Sequence, residues 1–180
     1  MIEPLAAAVR VRLLRHARET LAAVTHGTDL PVPPTGDAFQ QPSVVFVTLK
    51  CDGELRGCVG NPHEKQALIE AVGLMTRQAA LEDPRFAPMA ADEVQRTTIE
   101  ISRLSPPVEA TRHDIVLGTH GVWVKRRGRE GLLLPQVALH HAVDVEEFLG
   151  LACQKAGLPE LAWQDESVTI TVFEAEVFGE

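Results

Sequence analysis

The 180-residue chain carries a formal net charge of -8 and is 45% hydrophobic and 23% charged. Its length fits one domain of ordinary size, and its composition is that of a globular protein, which excludes a disordered, collagen-like or disulfide-stabilised chain. The negative charge excludes nucleic acid as the main partner, because a phosphate backbone would be repelled.

The cysteines and the N-terminal sequence predict a cytoplasmic protein. Cys51, Cys58 and Cys153 are odd in number, and we find no secretory leader before them, so a reducing compartment is expected. We also find no run of about 18 apolar residues, so no membrane span is predicted.

The first predicted element is an amphipathic helix from Leu5 to about Val24. Apolar residues such as Leu13 and Leu21 recur there at helical spacing, and His26-Gly27 is typical of a helix C-cap. The stretch that follows, residues 28–42, is rich in proline, which denies it a continuous helix or strand. It is predicted to be a long connector, of the kind that can serve as a lid.

A β-hairpin is predicted next, from strands over 43–50 and 55–60. A three-residue loop over 51–53 would place Leu49 opposite Leu55, whereas a two-residue Asp52-Gly53 turn would place Leu49 opposite Arg56. We favour the three-residue loop, because only that register keeps the aliphatic side chains on one face.

The remaining elements complete an α+β pattern with no internal repeat. They are a helix over 64–81, a strand over 97–104, two or three short strands forming a small antiparallel sheet between Ile115 and Leu134, a helix with an Asp144/Glu147 capping box, and a strand over 167–178. At least two connections are too short for parallel crossovers, so hairpins dominate and the sheet is predicted to be mainly antiparallel.

Four segments carry a resemblance to a known family. Residues 55–60, Leu-Arg-Gly-Cys-Val-Gly, match the signature Leu-Arg-Gly-Cys-Ile-Gly with one conservative change. Residues 83–88 look like an Asp-x-Arg-Phe-x-Pro element, 101–104 like Ile-Ser-x-Leu, and 133–138 like Leu-Leu-Pro-Gln-Val-Ala. From about Val44 onward the chain therefore resembles the AMMECR family.

That resemblance implies an architecture and a set of partners. The architecture is a single AMMECR domain over 1–180, with a larger antiparallel sheet flanked by helices and a smaller antiparallel β subdomain within about 112–140. The implied partners are a Memo-like protein and a radical-SAM protein, which prokaryotic members accompany in the AmmeMemoRadiSam group. The resemblance implies no particular reaction.

The hexapeptide at 55–60 is the first candidate site. Its two glycines remove side-chain bulk around Cys58, so that a ligand or another backbone can approach. In the favoured register Arg56 and Lys50 share the face of Cys58, and two nearby cations would favour the thiolate, which is the nucleophilic form. The alternatives are a buried, inert thiol, a solvated Lys50, and an Arg56 ion pair with a carboxylate such as Glu54, Asp83 or Glu100.

His63 and Asp83 are the candidates for proton transfer. His63 follows the hexapeptide closely enough to serve as a base, unless it is only a surface residue. Asp83 and Arg85 flank a proline in a turn, where they either serve the site or pair with each other. Cys51, Cys58 and His63 lack a recognised metal-ligand spacing, and no cofactor motif is found, so no metal or cofactor is predicted.

Two functions follow from these residues. The first is an enzyme or enzyme accessory acting on a small anionic molecule, with Cys58 as nucleophile, Arg56 and Lys50 holding negative charge, and Asp83 or His63 managing a proton. The second is a non-catalytic module that docks a partner through Arg56 and Phe86. The sequence leaves oligomeric state open.

Overall fold

The computed structural model describes residues 2–63, 65–141 and 143–180. These fall into a larger unit, Glu3–Leu104 with Glu176–Glu180, and a smaller unit, Ile2 with Ser105–Ala175. Antiparallel strands and flanking helices confirm the predicted α+β class. Among the described residues no helix is both long enough and apolar enough to cross a bilayer.

The larger unit places helices beside an antiparallel sheet. Its elements are helices α1 (Ala7–His26), α2 (Asp37–Gln40) and α3 (Leu68–Leu81), and strands β1 (Pro42–Cys51), β2 (Glu54–Gly60), β3 (Gln66–Ala67) and β4 (Thr97–Leu104). β1 is central and pairs with β2 on one side, with β4 on the other, and with β3 at its start. β2 lies at an edge of this sheet.

α1 and α3 confirm the predicted amphipathic helices. Leu13 and Leu21 of α1 are fully buried in the core of the unit, and burying a leucine side chain contributes about 2 kcal/mol. α1 ends at Gly27, whose φ of 67° supplies the predicted C-cap. α3 begins at Leu68, later than predicted: residue 64 lies outside the described residues, and over Gln66–Ala67 the structure has strand β3 instead of the expected helix.

The sheet of the larger unit has one packed face and one more open face. Val47, Leu49 and Ile101 are fully buried in the same core as α1 and α3. Successive side chains of a strand point to opposite faces, so Thr48 and Lys50 lie on the other face, where both are half-buried. This alternation separates the hydrophobic core from the polar face that carries the candidate site.

The predicted three-residue hairpin loop is wrong. Cys51 pairs with Glu54, so that only Asp52 and Gly53 form the turn, with φ of 52° and 86°. Positive φ at both central residues gives a turn whose twist matches that of the strands, and Asp-Gly is a favoured sequence for it. The turn chemistry therefore decides the loop length.

A β-bulge at Arg56 then changes the register. Between Leu49 and Lys50 the pairing shifts by one residue, so Arg56 is the extra residue on β2. The strands continue with Leu49 opposite Gly57 and Thr48 opposite Cys58. The bulge leaves Leu55 opposite Lys50, where it is 43% exposed, whereas Val59 lies opposite Val47 and packs against the core. The expectation that Leu55 would share the face of Leu49 is therefore wrong.

The smaller unit contains the predicted small antiparallel sheet, and the range 112–140 lies within it. Its elements are strands β5 (Val108–Glu109), β6 (His120–Arg126), β7 (Arg129–Leu133) and the first part of β8 (Thr169–Gly179), and helices α4 (Pro135–His141) and α5 (Val145–Lys155). β6 pairs antiparallel with β7 and β8, and β5 with β8. Neither α4 nor the short α2 of the larger unit, which lies in the predicted connector, was predicted.

α5 packs on the sheet of the smaller unit. Phe148 and Leu149 are fully buried with Val122 of β6. The predicted capping box is confirmed, since the Glu147 amide donates to Asp144 Oδ1 at 2.9 Å and the Asp144 amide donates to Glu147 Oε2 at 3.0 Å. The capping box thus determines where α5 begins, and core packing determines where the helix lies against the sheet.

The end of β8 belongs to the larger unit and brings in a buried carboxylate. Glu176 is only 8% exposed. It accepts hydrogen bonds from the Leu5 amide at 2.8 Å and from Arg103 Nε at 3.0 Å. Arg103 is itself 9% exposed, so each charge supplies the partner that the other needs when it is removed from water.

Candidate functional site

The glycines of the hexapeptide serve close packing. A Cβ built on Gly57 would lie 2.0 Å from the backbone oxygen of Ala79 in α3, and one on Gly60 would lie 2.2 Å from the Phe46 ring. The sequence suggested that either a ligand or another backbone could approach these glycines. At Gly57 the structure shows the second, the backbone of α3. Gly57 faces α3, so the neighbouring Cys58 side chain points to the opposite, more open face.

A thiol, a hydroxyl and a carboxylate form one row across that open face. Thr48 lies opposite Cys58 on one side and opposite Glu100 on the other. Thr48 Oγ1 donates a hydrogen bond to Cys58 Sγ at 3.3 Å, and the thiol is half-buried. Lys50, two residues along β1, adds a cation to the same face. Thr48 therefore gives the sulfur a hydrogen-bond donor.

Arg56 is engaged in a bidentate ion pair. Its Nε and Nη2 donate to the two carboxylate oxygens of Glu93 at 2.7 and 3.0 Å, and its guanidinium lies 5.9 Å from the centroid of the Phe86 ring. These hydrogen bonds raise the pKa of Arg56 and lower that of Glu93. Arg56 Nη1 is buried with no hydrogen-bond partner. The Glu93 carboxylate therefore largely neutralises the charge of Arg56 in the protein itself.

Asp83 and Arg85 clamp the free edge of β2 at Cys58. The Cys58 amide donates to Asp83 Oδ2 at 2.9 Å, and Arg85 Nη2 donates to the Cys58 carbonyl at 3.2 Å. Arg85 Nη2 also donates to Asp83 Oδ2 at 2.7 Å. The clamp occupies backbone groups that an edge strand would otherwise expose, and it fixes the backbone that carries the thiol.

The clamp holds Asp83 in its ionised form. The Arg85 guanidinium, helped by the amides of Cys58 and Arg85, lowers the pKa of the Asp83 carboxyl far below its ordinary value, although burial opposes the shift. A carboxylate with so low a pKa is a poor proton acceptor near neutral pH. Its geometry gives Asp83 a positioning role toward Cys58.

His63 and Cys51 stand at opposite ends of β2. His63 is exposed on the turn after the strand, where its backbone amide donates to Asn61 Oδ1 at 3.0 Å. Cys51 ends β1 beside the hairpin turn and is half-buried. Within the described residues there is no group of three or more His, Cys, Asp or Glu side chains placed to hold a metal ion.

Comparison with known proteins decides the family. The sequence profile of the AMMECR1 family matches residues 14–178. The chain belongs to the AMMECR1 family. It is 38% identical to protein Ta0236 of Thermoplasma acidophilum, over 96% of this chain and 87% of that one, and 40% identical to protein MK0488 of Methanopyrus kandleri, over 93% and 86%.

A solved structure is also similar to this AMMECR1-family chain. The crystal structure of the uncharacterized protein PH0010 from Pyrococcus horikoshii superposes with a TM-score of 0.87 at 35% identity, covering 93% of this chain and 89% of that one. The resemblance drawn from the hexapeptide is therefore confirmed. The names of these three relatives state no reaction.

Two contributors to the site of this AMMECR1-family chain were missed by sequence reasoning. Glu93, rather than Glu54, Asp83 or Glu100, is the partner of Arg56. It lies in a short 3₁₀ helix, Ala91–Arg96, and no local pattern connects it with β2. The hydrogen bond from Thr48 to Cys58 was also missed, because it requires the register that the bulge sets.

Proposed function

We propose that this AMMECR1-family chain binds and acts on a small anionic molecule at the open face of the β2-β1-β4 sheet, with Cys58 as the nucleophile. The observation that carries the proposal is the hydrogen bond from Thr48 Oγ1 to a half-buried Cys58 Sγ, on a face that also holds Lys50. The thiolate is the reactive form of cysteine, and a hydroxyl donor and a lysine on one face suit an anionic ligand.

The surrounding residues take separate roles in this proposal. Lys50 attracts the negative charge of the substrate, whereas Arg56 is paired with Glu93 and holds the hexapeptide beside the Ala91–Arg96 helix. Asp83 holds the Cys58 amide and thereby positions the thiol. His63, exposed on the turn after the strand, is the candidate acceptor of the Cys58 thiol proton.

The charge preference of alkylation at Cys58 tests this proposal. In a Cys51→Ser background, iodoacetate (an anion) and iodoacetamide (neutral) would be compared as alkylating agents, with the modified peptides quantified by mass spectrometry. Lys50→Met is expected to lower the iodoacetate-to-iodoacetamide rate ratio at Cys58 about fivefold, because a unit charge near 4 Å in water is worth about 1 kcal/mol. Cys153 is fully buried and should stay unmodified.

The control is Lys155→Met, which removes a lysine from α5 in the smaller unit. It should leave the ratio unchanged. A Cys58 that resists both reagents, or a ratio that is the same with and without Lys50, would contradict the proposal.

A second candidate is a non-catalytic docking module for a Memo-like or radical-SAM protein. The observation that favours it is Leu55, which begins the hexapeptide and is 43% exposed although it is apolar. In a pull-down with a purified Memo-like or radical-SAM protein, Leu55→Asp is then expected to abolish capture and Cys58→Ser to preserve it. Capture that survives Leu55→Asp would remove this candidate.

A further inference from the structure

A cavity of about 380 Å³ lies in the larger unit, away from Cys58. α1 contributes His16 and Thr20 to its wall, and α3 contributes residues from Ile69 to Arg77. Leu30, Pro31 and Pro33 of the connector line it as well. The volume falls in the range of small-molecule sites, and the cavity shares no residue with the open face of the sheet.

The lining of the cavity is mainly apolar. Leu30, Ile69 and Leu74 present aliphatic side chains, and two proline rings lie beside them. Among the described residues that line it, only Glu70 and Arg77 carry charge; both are exposed, and Arg77 Nη2 pairs with Glu82 at 3.2 Å. The interior of the cavity therefore suits an apolar molecule, and the two charged side chains lie at its solvent-exposed opening.

One buried polar side chain in the wall lacks a partner. His16 is 7% exposed, and its Nδ1 is buried with no hydrogen-bond partner. Burial lowers the pKa of His16, with nearby Glu19 opposing, so the imidazole is neutral near pH 7. A neutral imidazole offers one donor and one acceptor, and leaving either unused in a buried site costs about 1 to 3 kcal/mol.

Gly73 keeps the imidazole open to the cavity. A Cβ on Gly73 would lie 3.1 Å from His16 Nε2, closer than most side-chain contacts. Glycine in the middle of a helix is unfavourable by roughly 1 kcal/mol relative to alanine, yet α3 has it at this point. The missing methyl group leaves room beside Nε2, the ring nitrogen on the Gly73 side.

We infer that this cavity is a binding site for a small, mainly apolar molecule with one hydrogen-bonding group, which His16 recognises. The aliphatic and proline wall takes the apolar body, and the imidazole takes the polar group. The site goes beyond the proposed chemistry at Cys58 and does not depend on it.

Indole and 1-methylindole form a matched pair of probes for this inference. They share an apolar ring system of a size that fits the cavity, and only indole carries an N–H donor. Titrations of the full chain, followed by ligand-observed NMR, are expected to show saturable indole binding with a Kd below about 1 mM. Indole should bind about fivefold more tightly than 1-methylindole, as one net hydrogen bond allows.

Two variants separate the parts of the inference. Leu74→Trp fills the cavity and should weaken both probes at least tenfold. The control is Leu161→Trp, at a residue of the smaller unit that is 63% exposed, and it should leave the affinity for both probes unchanged. His16→Phe keeps a ring and removes both ring nitrogens, so it should abolish the preference for indole while 1-methylindole still binds.

Binding that survives Leu74→Trp, or the absence of saturable binding by either probe, would overturn the site. Equal affinity for the two probes in the unaltered chain, or a preference that persists in His16→Phe, would overturn the role of His16. Circular dichroism of each variant confirms that a loss of binding is not a loss of fold.

Discussion

Replacing Gly57 with alanine is expected to destabilise the chain by about 3 kcal/mol or to prevent folding of the larger unit. The added methyl carbon would sit 2.0 Å from the Ala79 backbone oxygen, which no rotamer change relieves. Forcing atoms into a packed interface typically costs 1 to 3 kcal/mol, and a rigid backbone neighbour places this site at the upper end. Urea unfolding followed by circular dichroism would measure the loss.

Two further variants identify the cause. Ala79→Gly in the Gly57→Ala background should restore no stability, because the clash is with the backbone of α3 and not with a side chain. Cys58→Ala, one residue away on the open face, should cost less than about 1 kcal/mol. A Gly57→Ala protein as stable as the parent would show that β2 and α3 are not packed this closely.

Asp83→Asn is expected to cost about 2 kcal/mol at pH 7. The asparagine keeps one oxygen for the Cys58 amide but loses the charge that holds Arg85. Breaking a fully buried ion pair costs about 3 to 5 kcal/mol. We expect only about 2 kcal/mol here, because the Arg85 side chain is 54% exposed and water screens its charge. Chemical unfolding at fixed pH would give the difference.

The Asp83 effect should depend on pH in a defined direction. The folded-state pKa of Asp83 lies below its ordinary value of 3.8, so the carboxylate stabilises the fold fully above about pH 5 and loses this contribution as pH falls further. The stability gap between the parent and Asp83→Asn should therefore shrink between pH 5 and pH 3. A gap that stays constant over that range would show that charge is not the cause.

Asp52→Asn is the matched control for Asp83→Asn. Asp52 also pairs with an arginine, Arg96, but both side chains are more than half exposed. Exposed ion pairs contribute about 0 to 1 kcal/mol, and asparagine tolerates the positive φ of this turn position. Its effect should be small at every pH.

Local patterns predicted the helices and the fold class well, because burial repeats along a helix with a period that is visible in the residues themselves. Leu13 and Leu21 mark the buried stripe of α1, and the Asp144/Glu147 box marks the start of α5. α4 escaped because Pro135–His141 is too short to display a period. The hairpin register was wrong because a bulge is decided by packing on both faces of β2 and not by the residues of β2 alone.

The candidate site was only partly predictable, because its residues act through contacts distant in sequence. The hexapeptide pointed to Cys58, and the mutual pairing of Asp83 and Arg85 was one of the readings of their turn. The Arg56 partner, Glu93, lies 37 residues away. His16 resembles any other residue of an amphipathic helix until the folded chain surrounds it with Gly73 and the connector.

The buried Glu176 has a consequence for synthesis on the ribosome. Arg103 and the Leu5 amide emerge long before Glu176, and at roughly 5 to 20 residues per second they wait for several seconds. During that time the nascent segment cannot complete its native core, because a cation would be left there without its counterion. Folding of the larger unit is thus expected to wait until Glu176 has been made, although most of its residues are made earlier.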